Sequence, residues 1–394
     1  MAERLRIVVL NIAASKTGAL SVLRDFYREV VKDPRGAEWF FIVGAAGLIE
    51  ENKDCPGIHV IVRDDVKRSK LKRLFFDHLS GASFIKSLDP DVVFSMQNTL
   101  PRGVEKMRTS SGKRIRSVIY LHQPLGFQKV KQFSFLKRYE REMALYQYLI
   151  APEIDSSLKR ADEVIVQTRW MKDAVCEKDG LSEDSVRIVT PDMGSVDELC
   201  KPEISRDSSL FLYPAGSMIY KDHQCIVDAA EILKNKGIDD FRVIFTQKLS
   251  ELPWLRLPEK VRENIEFRGM IPREELIPLY QKAVLLFPSY IETFGYPLAE
   301  AAYLNTPVIS ADTPFAREIL ENAKRKRFFR ISSPEELSIL MEESVNKGWG
   351  EEIGSLPKAA SNEGSSWSRV ADILIGNGAE TSTLIRPYGA PYRW

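Results

Sequence analysis

The sequence predicts an α/β protein made of two doubly wound parallel-sheet domains. Three observations carry that expectation. Short apolar runs rich in Val, Ile, Leu and Phe alternate with amphipathic stretches along most of the chain, the pattern of buried parallel strands joined by crossover helices. At 394 residues the chain is long for one domain and comfortable for two, each with its own core. Between the two sets of runs, Pro191, Pro202 and the polar stretch 205–209 read as a linker. Domains are therefore expected at 1–200 and 201–394, with the closing segment able to pack back on the first.

The front domain opens with an apolar run over 5–13, then Ser15-Lys16-Thr17-Gly18-Ala19 and an amphipathic pattern over 20–31. That is strand, small-residue turn and helix, the start of a dinucleotide-type unit. The turn has neither Gly-x-Gly-x-x-Gly nor a Walker A pattern, so it is either a plain strand-to-helix turn or a place where backbone approaches a ligand. Further strands are expected at 39–43, 58–62, 92–95, 115–121, 163–167 and 186–189. Asp89-Pro90-Asp91 has the Asp-x-Asp spacing of some metal sites. It precedes its strand, at the wrong end for a ligand in a parallel sheet, and Asp-Pro is a common turn, so no metal is expected there. His122 directly follows the 115–121 run, at the ligand end; it is a candidate site residue or a structural histidine.

Composition narrows the class. No apolar run approaches ~18 residues, which argues against a membrane-spanning helix, and the charged start Met1-Ala2-Glu3-Arg4 is unlike a signal peptide. Cys55, Cys176, Cys200 and Cys225 are scattered without metal-ligand spacing, which fits a reducing, cytoplasmic setting and gives no structural zinc. The net charge of +1 conceals an asymmetry: residues 1–150 carry +10 and the remainder −9. A basic front half points to an anionic partner for that half. Two segments there combine cations with aromatics, 67–76 (KRSKLKRLFF) and 129–139 (KVKQFSFLKRY). Each is expected to be either an amphipathic helix that lays an apolar stripe on an anionic membrane or an ordinary surface helix. No recognised nucleic-acid-binding module accompanies the charge, so nucleic acid is not an expected partner.

The second domain restarts with a strand over 210–213. It leads into a loop, Pro214-Ala215-Gly216-Ser217-Met218-Ile219-Tyr220-Lys221, and then a helix over 224–233. Lys221 beside a helix start is a credible diphosphate ligand, a compact cation next to unpaired N–H groups. Strands are expected at 241–246, 265–267, 283–287 and 308–310, and 367–371 reads as part of a closing helix. The chain is organised around the stretch immediately after the 283–287 run, Pro288-Ser289-Tyr290-Ile291-Glu292-Thr293-Phe294-Gly295-Tyr296-Pro297-Leu298-Ala299-Glu300. Strand, glycine turn and helix start put N–H groups and a positive helix end where a phosphate would sit. Glu292 falls in the loop and Glu300 in the first turn of the helix, where carboxylates accept hydrogen bonds from sugar or ribose hydroxyls. Spacing alone equally allows an acidic loop residue and a glutamate favoured by the helix dipole.

The wording of 289–309, two glutamates with seven residues between them around a Phe-Gly and then Asn305-Thr306-Pro307-Val308-Ile309, resembles glycosyltransferase family 4, with Asn305 where a glycine is usual. The resemblance extends over about 5–375. It implies a GT-B fold, two Rossmann-like domains facing a cleft. It further implies a retaining transfer of a hexose from a nucleotide-diphospho-sugar to a hydroxyl of a growing, lipid-linked bacterial polysaccharide, with no cofactor and no metal. Residue by residue, Gly18, Gly216, Ser217, Lys221, Thr293, Phe294, Gly295, Tyr296 and Glu300 would bind the donor. Glu292, His122 and Lys221 would serve the reaction, His122 touching the sugar from across the cleft. Ser217 stands where the family usually has an arginine, in a loop about one residue shorter, and leaves the diphosphate one cation short or moves that contact to another residue. The missing arginine keeps open a catalytically silent nucleotide- or glycan-binding subunit, and the shared two-domain architecture a nucleotide-sugar epimerase. The expected partners are a nucleotide-sugar, a glycan or lipid-linked oligosaccharide and an anionic membrane surface on the cytoplasmic side.

Overall fold

A computed structural model describes residues 4–14, 17–49, 55–193, 196–200, 204–349 and 365–376. The chain divides into two compact units. One comprises the described residues of Met1–Phe127, Leu145–Asp192 and Asn362–Trp394, the other those of Gln128–Ala144 and Met193–Ser361.

The first unit holds a seven-stranded parallel sheet: β1 (Arg6–Asn11), β2 (Glu38–Val43), β3 (Ile58–Val62), β4 (Val92–Ser95), β5 (Arg116–Tyr120), β6 (Glu163–Val166) and β7 (Val186–Ile188). Their order is β3-β2-β1-β4-β5-β6-β7. Both faces are covered, so the central strands are apolar at nearly every position and residues alternate between two cores. Ile7, Val9, Phe41 and Phe94 point into one, Val8, Leu10, Ile42 and Val93 into the other. The first core is sealed by helices Thr17–Lys32 and Ser366–Ile375; Trp367 packs its ring 5.6 Å from Phe26 and 5.2 Å from Tyr120. Arg35, its side chain largely covered, clamps that last helix, donating to Asp372 Oδ1 at 2.8 Å and Ser368 Oγ at 2.7 Å.

The second unit holds a six-stranded parallel sheet: β8 (Leu210–Tyr213), β9 (Arg242–Phe245), β10 (Ile265–Phe267), β11 (Val284–Phe287), β12 (Val308–Ala311) and β13 (Lys326–Phe329). The order is β10-β9-β8-β11-β12-β13, so the chain steps one way from β8 to β9 and the other way from β11 to β12. Right-handed crossovers then place helix His223–Asn235 on one face and helix Tyr296–Tyr303 on the other. In agreement, His223–Asn235 packs on helix Pro334–Lys347, whereas Tyr296–Tyr303 packs on helix Pro314–Ile319. The β8–β11 junction is the switch point, where ligands sit at the carboxyl ends of the strands. Asn305, which replaces the expected glycine before β12, adopts φ 52°; asparagine is among the few other residues that tolerate this left-handed conformation.

The two basic-aromatic segments fold differently. The first is helical, Lys70–Phe75 running on into a π-turn, Phe76–Ser80, and then Gly81–Lys86. The second contains no helix before Arg141 and groups with the second unit, against expectation. Its backbone is held by side chains. Gln128 Oε1 accepts from the N–H of Val130 and of Lys131, each at 2.8 Å, and Gln128 Nε2 donates to the Lys131 carbonyl at 2.6 Å. Glu140, almost wholly buried, accepts from the Ser134 N–H at 3.0 Å and pairs with Lys131 at 2.9 Å. Such bonds give the backbone an alternative to the helix ladder, and Phe133 is buried beneath them.

Candidate active site

In the second unit, β11 ends at Phe287 and the chain turns through Gly295 into helix Tyr296–Tyr303. Gly295 is the N-cap, with φ 85°. A Cβ there would make only ordinary contacts, the nearest at 3.5 Å to Leu298, so the turn needs glycine for its backbone and not for space. Pro297 occupies the first turn, where its missing N–H costs nothing. Phe294 is buried, Tyr296 half-exposed, and their rings meet edge to face at 5.2 Å; Thr293 lies between Glu292 and Phe294, partly covered.

Each glutamate of the turn meets a cation. Glu292 Oε1 accepts from Lys221 Nζ in a short contact and from Ser289 Oγ at 2.9 Å. Both charged side chains are largely covered, 17% and 15% exposed, so the pair is shielded from solvent screening. Lys221 closes a short turn, Ile219–Lys221, between β8 and helix His223–Asn235, and its carbonyl accepts from the buried Tyr213 hydroxyl at 2.5 Å. Burial, then the Glu292 charge, push the Tyr213 phenol well above its ordinary value, which keeps it a donor. The N–H of Tyr290 donates to the Tyr220 carbonyl at 3.3 Å and ties the two loops together.

Glu300 lies deeper, its side chain 6% exposed, and accepts from Arg273 Nη1 at 2.6 Å. Arg273 opens helix Arg273–Lys282, and its other terminal nitrogen donates to the Met193 carbonyl. Burial, then the neighbouring Glu300 carboxylate, push the Tyr280 phenol up as well. Arg273 escaped the sequence reading. It stands 27 residues before its partner, in no recognisable motif.

Other expected residues take no part in these two ion pairs. Gly216 and Ser217 are exposed in the loop that leaves β8, and a Cβ on Gly216 would meet nothing within 4 Å. Gly18 belongs to the first unit and falls inside helix Thr17–Lys32, where a loop position was expected; Ser15 and Lys16 lie outside the described residues. His122, also in the first unit, lies just beyond β5, and its N–H donates to Asn98 Oδ1 at 2.8 Å. Burial pulls its imidazole down to about 4, so it is neutral near pH 7. Asp89 accepts from the Ser110 N–H at 2.7 Å and Asp91 from the Arg6 N–H at 2.9 Å, both at the amino end of β4. Among the described residues no group of three or more His, Cys, Asp or Glu side chains is placed to hold a metal ion.

Residues 199–362 match the family model described as glycosyl transferases group 1. The O-antigen chain mannosyltransferase of Salmonella typhimurium is 27% identical over 173 residues, 42% of this chain and 46% of the relative. The match thus spans about half the length of that curated relative. Among solved structures, Anabaena HepE in complex with UDP and glucose aligns over 87% of this chain and 90% of its own, with TM-score 0.56 and 14% identity. The UDP-GlcNAc 2-epimerase of Methanocaldococcus jannaschii aligns over 95% and 100%, with TM-score 0.52 and 15% identity. At such identities the likeness concerns the fold alone, and one fold carries different reactions.

Proposed function

From a chain that is glycosyltransferase family 4-like and has the GT-B fold, we propose a retaining hexosyltransferase. It moves a hexose from a nucleotide-diphospho-sugar to a hydroxyl of a growing, lipid-linked bacterial polysaccharide. The observation that carries this reading is the meeting of Lys221 with Glu292 at the carboxyl end of the second sheet, beside a helix start.

As the anomeric carbon–oxygen bond breaks, negative charge accumulates on the departing diphosphate. A preorganised ammonium and the positive end of a helix stabilise that charge most in the transition state, with no need of a metal. In the free protein Glu292 holds Lys221 in place. When the diphosphate takes over the ammonium, Glu292 becomes free to accept from the sugar hydroxyls. Glu300 accepts from the ribose hydroxyls, and Arg273 beside it holds that carboxylate in place. His122 offers the sugar a neutral imidazole. A phosphate oxygen of the donor takes the proton of the incoming hydroxyl, whose oxygen bonds to the anomeric carbon on the face the diphosphate leaves, and configuration is retained. A silent nucleotide-binding subunit is the second reading, favoured by the exposed, uncharged Ser217.

Incubation with a panel of nucleotide-sugars and a lipid-linked acceptor, with the new linkage read by proton NMR, tests both. The expected product keeps the donor's anomeric configuration, at a rate unchanged by EDTA. Inverted product, a rate restored only by manganese or magnesium, an epimerised donor or no turnover each overturns the corresponding part.

The front unit is proposed to dock on the cytoplasmic face of a membrane. Leu71, Leu74, Phe75 and Leu79 are 79%, 56%, 57% and 69% exposed. Their spacing lines them along one side of the helix that begins at Lys70, beside the exposed Lys72 and Arg68. A large apolar stripe rimmed by cations is costly in water and suits an anionic interface; each cation adds about 1 kcal/mol there. The double substitution Leu74→Glu, Phe75→Glu should abolish flotation with anionic liposomes. Equal recovery on neutral and anionic vesicles, or no loss in the variant, would remove the membrane from the proposal.

A further inference from the structure

The second unit contains a cavity of about 520 Å³ that the donor turn, residues 288–300, does not account for. Its lining includes Lys131, Ile219, Asp222, Trp254, Tyr290 and Ser332. Its walls come from the start of helix His223–Asn235 and from the turn before helix Pro334–Lys347, which pack together on one face of the sheet. Glu300 and Gly295 belong to helix Tyr296–Tyr303 and its cap, on the opposite face. Among these lining residues Tyr290 lies in the turn after β11, and Ile219 and Asp222 flank Lys221 on the adjoining loop.

Two features set this cavity apart from a gap between loops. Asp222 and Ser332 both hold the left-handed backbone conformation, at φ 55° and 54°. Neither is glycine, and such strain persists where the surrounding structure enforces it. The two meet across the wall, Ser332 Oγ donating to Asp222 Oδ2 at 2.6 Å. The second feature is the chemistry of the lining. Trp254, partly exposed, and the largely buried Tyr290 line it with aromatic rings, and the Asp222 carboxylate has lone pairs beyond those that Ser332 and the Cys225 N–H take. The ammonium of Lys131 is paired with Glu140 at 2.9 Å. A wall carrying charges of both signs favours neither an anion nor a cation. Apolar rings beside hydrogen-bonding groups suit a neutral polyol with flat C–H faces, and the volume lies within the ~300–1,000 Å³ range of small-ligand sites.

We infer that this cavity is a second carbohydrate site, one that holds a neutral sugar residue of a glycan other than the sugar being transferred. The pyranose lies against Trp254 and Tyr290 while its hydroxyls donate to Asp222. The inference does not rest on the transferase reading, because occupancy needs neither donor nor turnover.

Saturation-transfer NMR on the full chain tests it, with the methyl glycosides of glucose, galactose, mannose, N-acetylglucosamine and rhamnose as probes. At least one glycoside should bind, and binding should persist when nucleotide diphosphate saturates the donor site. Trp254→Ala and Asp222→Asn should each weaken it about tenfold or more, while Glu300→Ala, which disables the donor turn from the opposite face of the sheet, should leave it intact. Because Trp254 also packs on Tyr139, thermal melting of each variant checks the fold, and Asp222→Asn, close in shape, carries the test should Trp254→Ala unfold. The inference is overturned by the absence of transfer to any glycoside, by displacement with nucleotide diphosphate, or by binding indifferent to both folded variants. Trp254-dependent binding of choline or phosphate in place of the glycosides would overturn it as well. Loss of donor turnover with glycoside binding retained would break the transferase reading and leave this one standing.

Discussion

The two carboxylates that bracket the donor turn are both held by a cation, yet they are held differently. Lys221 and Glu292 are both largely covered, and Ser289 adds a second donor to the same oxygen. Glu300 is buried while its partner Arg273 stays 40% exposed and shares its guanidinium with the Met193 carbonyl. A compact ammonium on a flexible stem can leave one acceptor for another as charge develops; a planar fork gripping two acceptors at once fixes geometry. The contrast suggests a division of labour within one turn. On the proposed reading, the Lys221 end serves charge that appears during the reaction and the Glu300 end a group that binds and stays.

The sharpest way to break that comparison is Lys221→Ala. If its charge matters mainly in the transition state, kcat should fall roughly 10²–10³-fold, about 3–4 kcal/mol, with nucleotide affinity changed far less. Steady-state kinetics with parallel calorimetry decide it; a raised KM at unchanged kcat would make Lys221 a plain binding residue. The next largest effect belongs to the other end. Glu300→Ala removes a charged acceptor from the ribose and should weaken nucleotide diphosphate binding by about 1.5–3 kcal/mol, roughly 10–100-fold. Unchanged affinity in calorimetry would take Glu300 out of the site and leave its pair with Arg273 structural.

How much of this could be read from the sequence depended on whether the determinant was local. Continuous apolar runs such as 210–213 and 284–287 are strands of a sheet covered on both faces, and they were legible as such. β13 was not, because Lys326-Arg327-Phe328-Phe329 carries charge where an edge strand meets solvent. The segments 67–76 and 129–139 look alike in composition, yet only the first is helical. What separates them is a glutamine and a buried glutamate that capture backbone N–H groups, and periodicity is blind to that. The donor turn was legible because strand, glycine and helix start are contiguous. Arg273 and the Asp222–Ser332 contact were not, since each pairs residues far apart in the chain, 27 and 110 positions respectively.

Arg273 gives the smallest effect and the finest test of the contrast. Arg273→Ala leaves Glu300 in place but removes the fork that aims it, so the expected loss in nucleotide affinity is about 1 kcal/mol, roughly fivefold. The protein should also melt at a lower temperature, because a buried carboxylate loses its cation while the departed partner was partly in water. Arg273→Lys separates charge from geometry. A lysine restores the positive charge but cannot donate to Glu300 and to the Met193 carbonyl in one plane. If positioning is the role, Arg273→Lys should recover the melting temperature more fully than the affinity. Full recovery of both by lysine would show that charge alone suffices, and the two ends of the turn would then work by the same device.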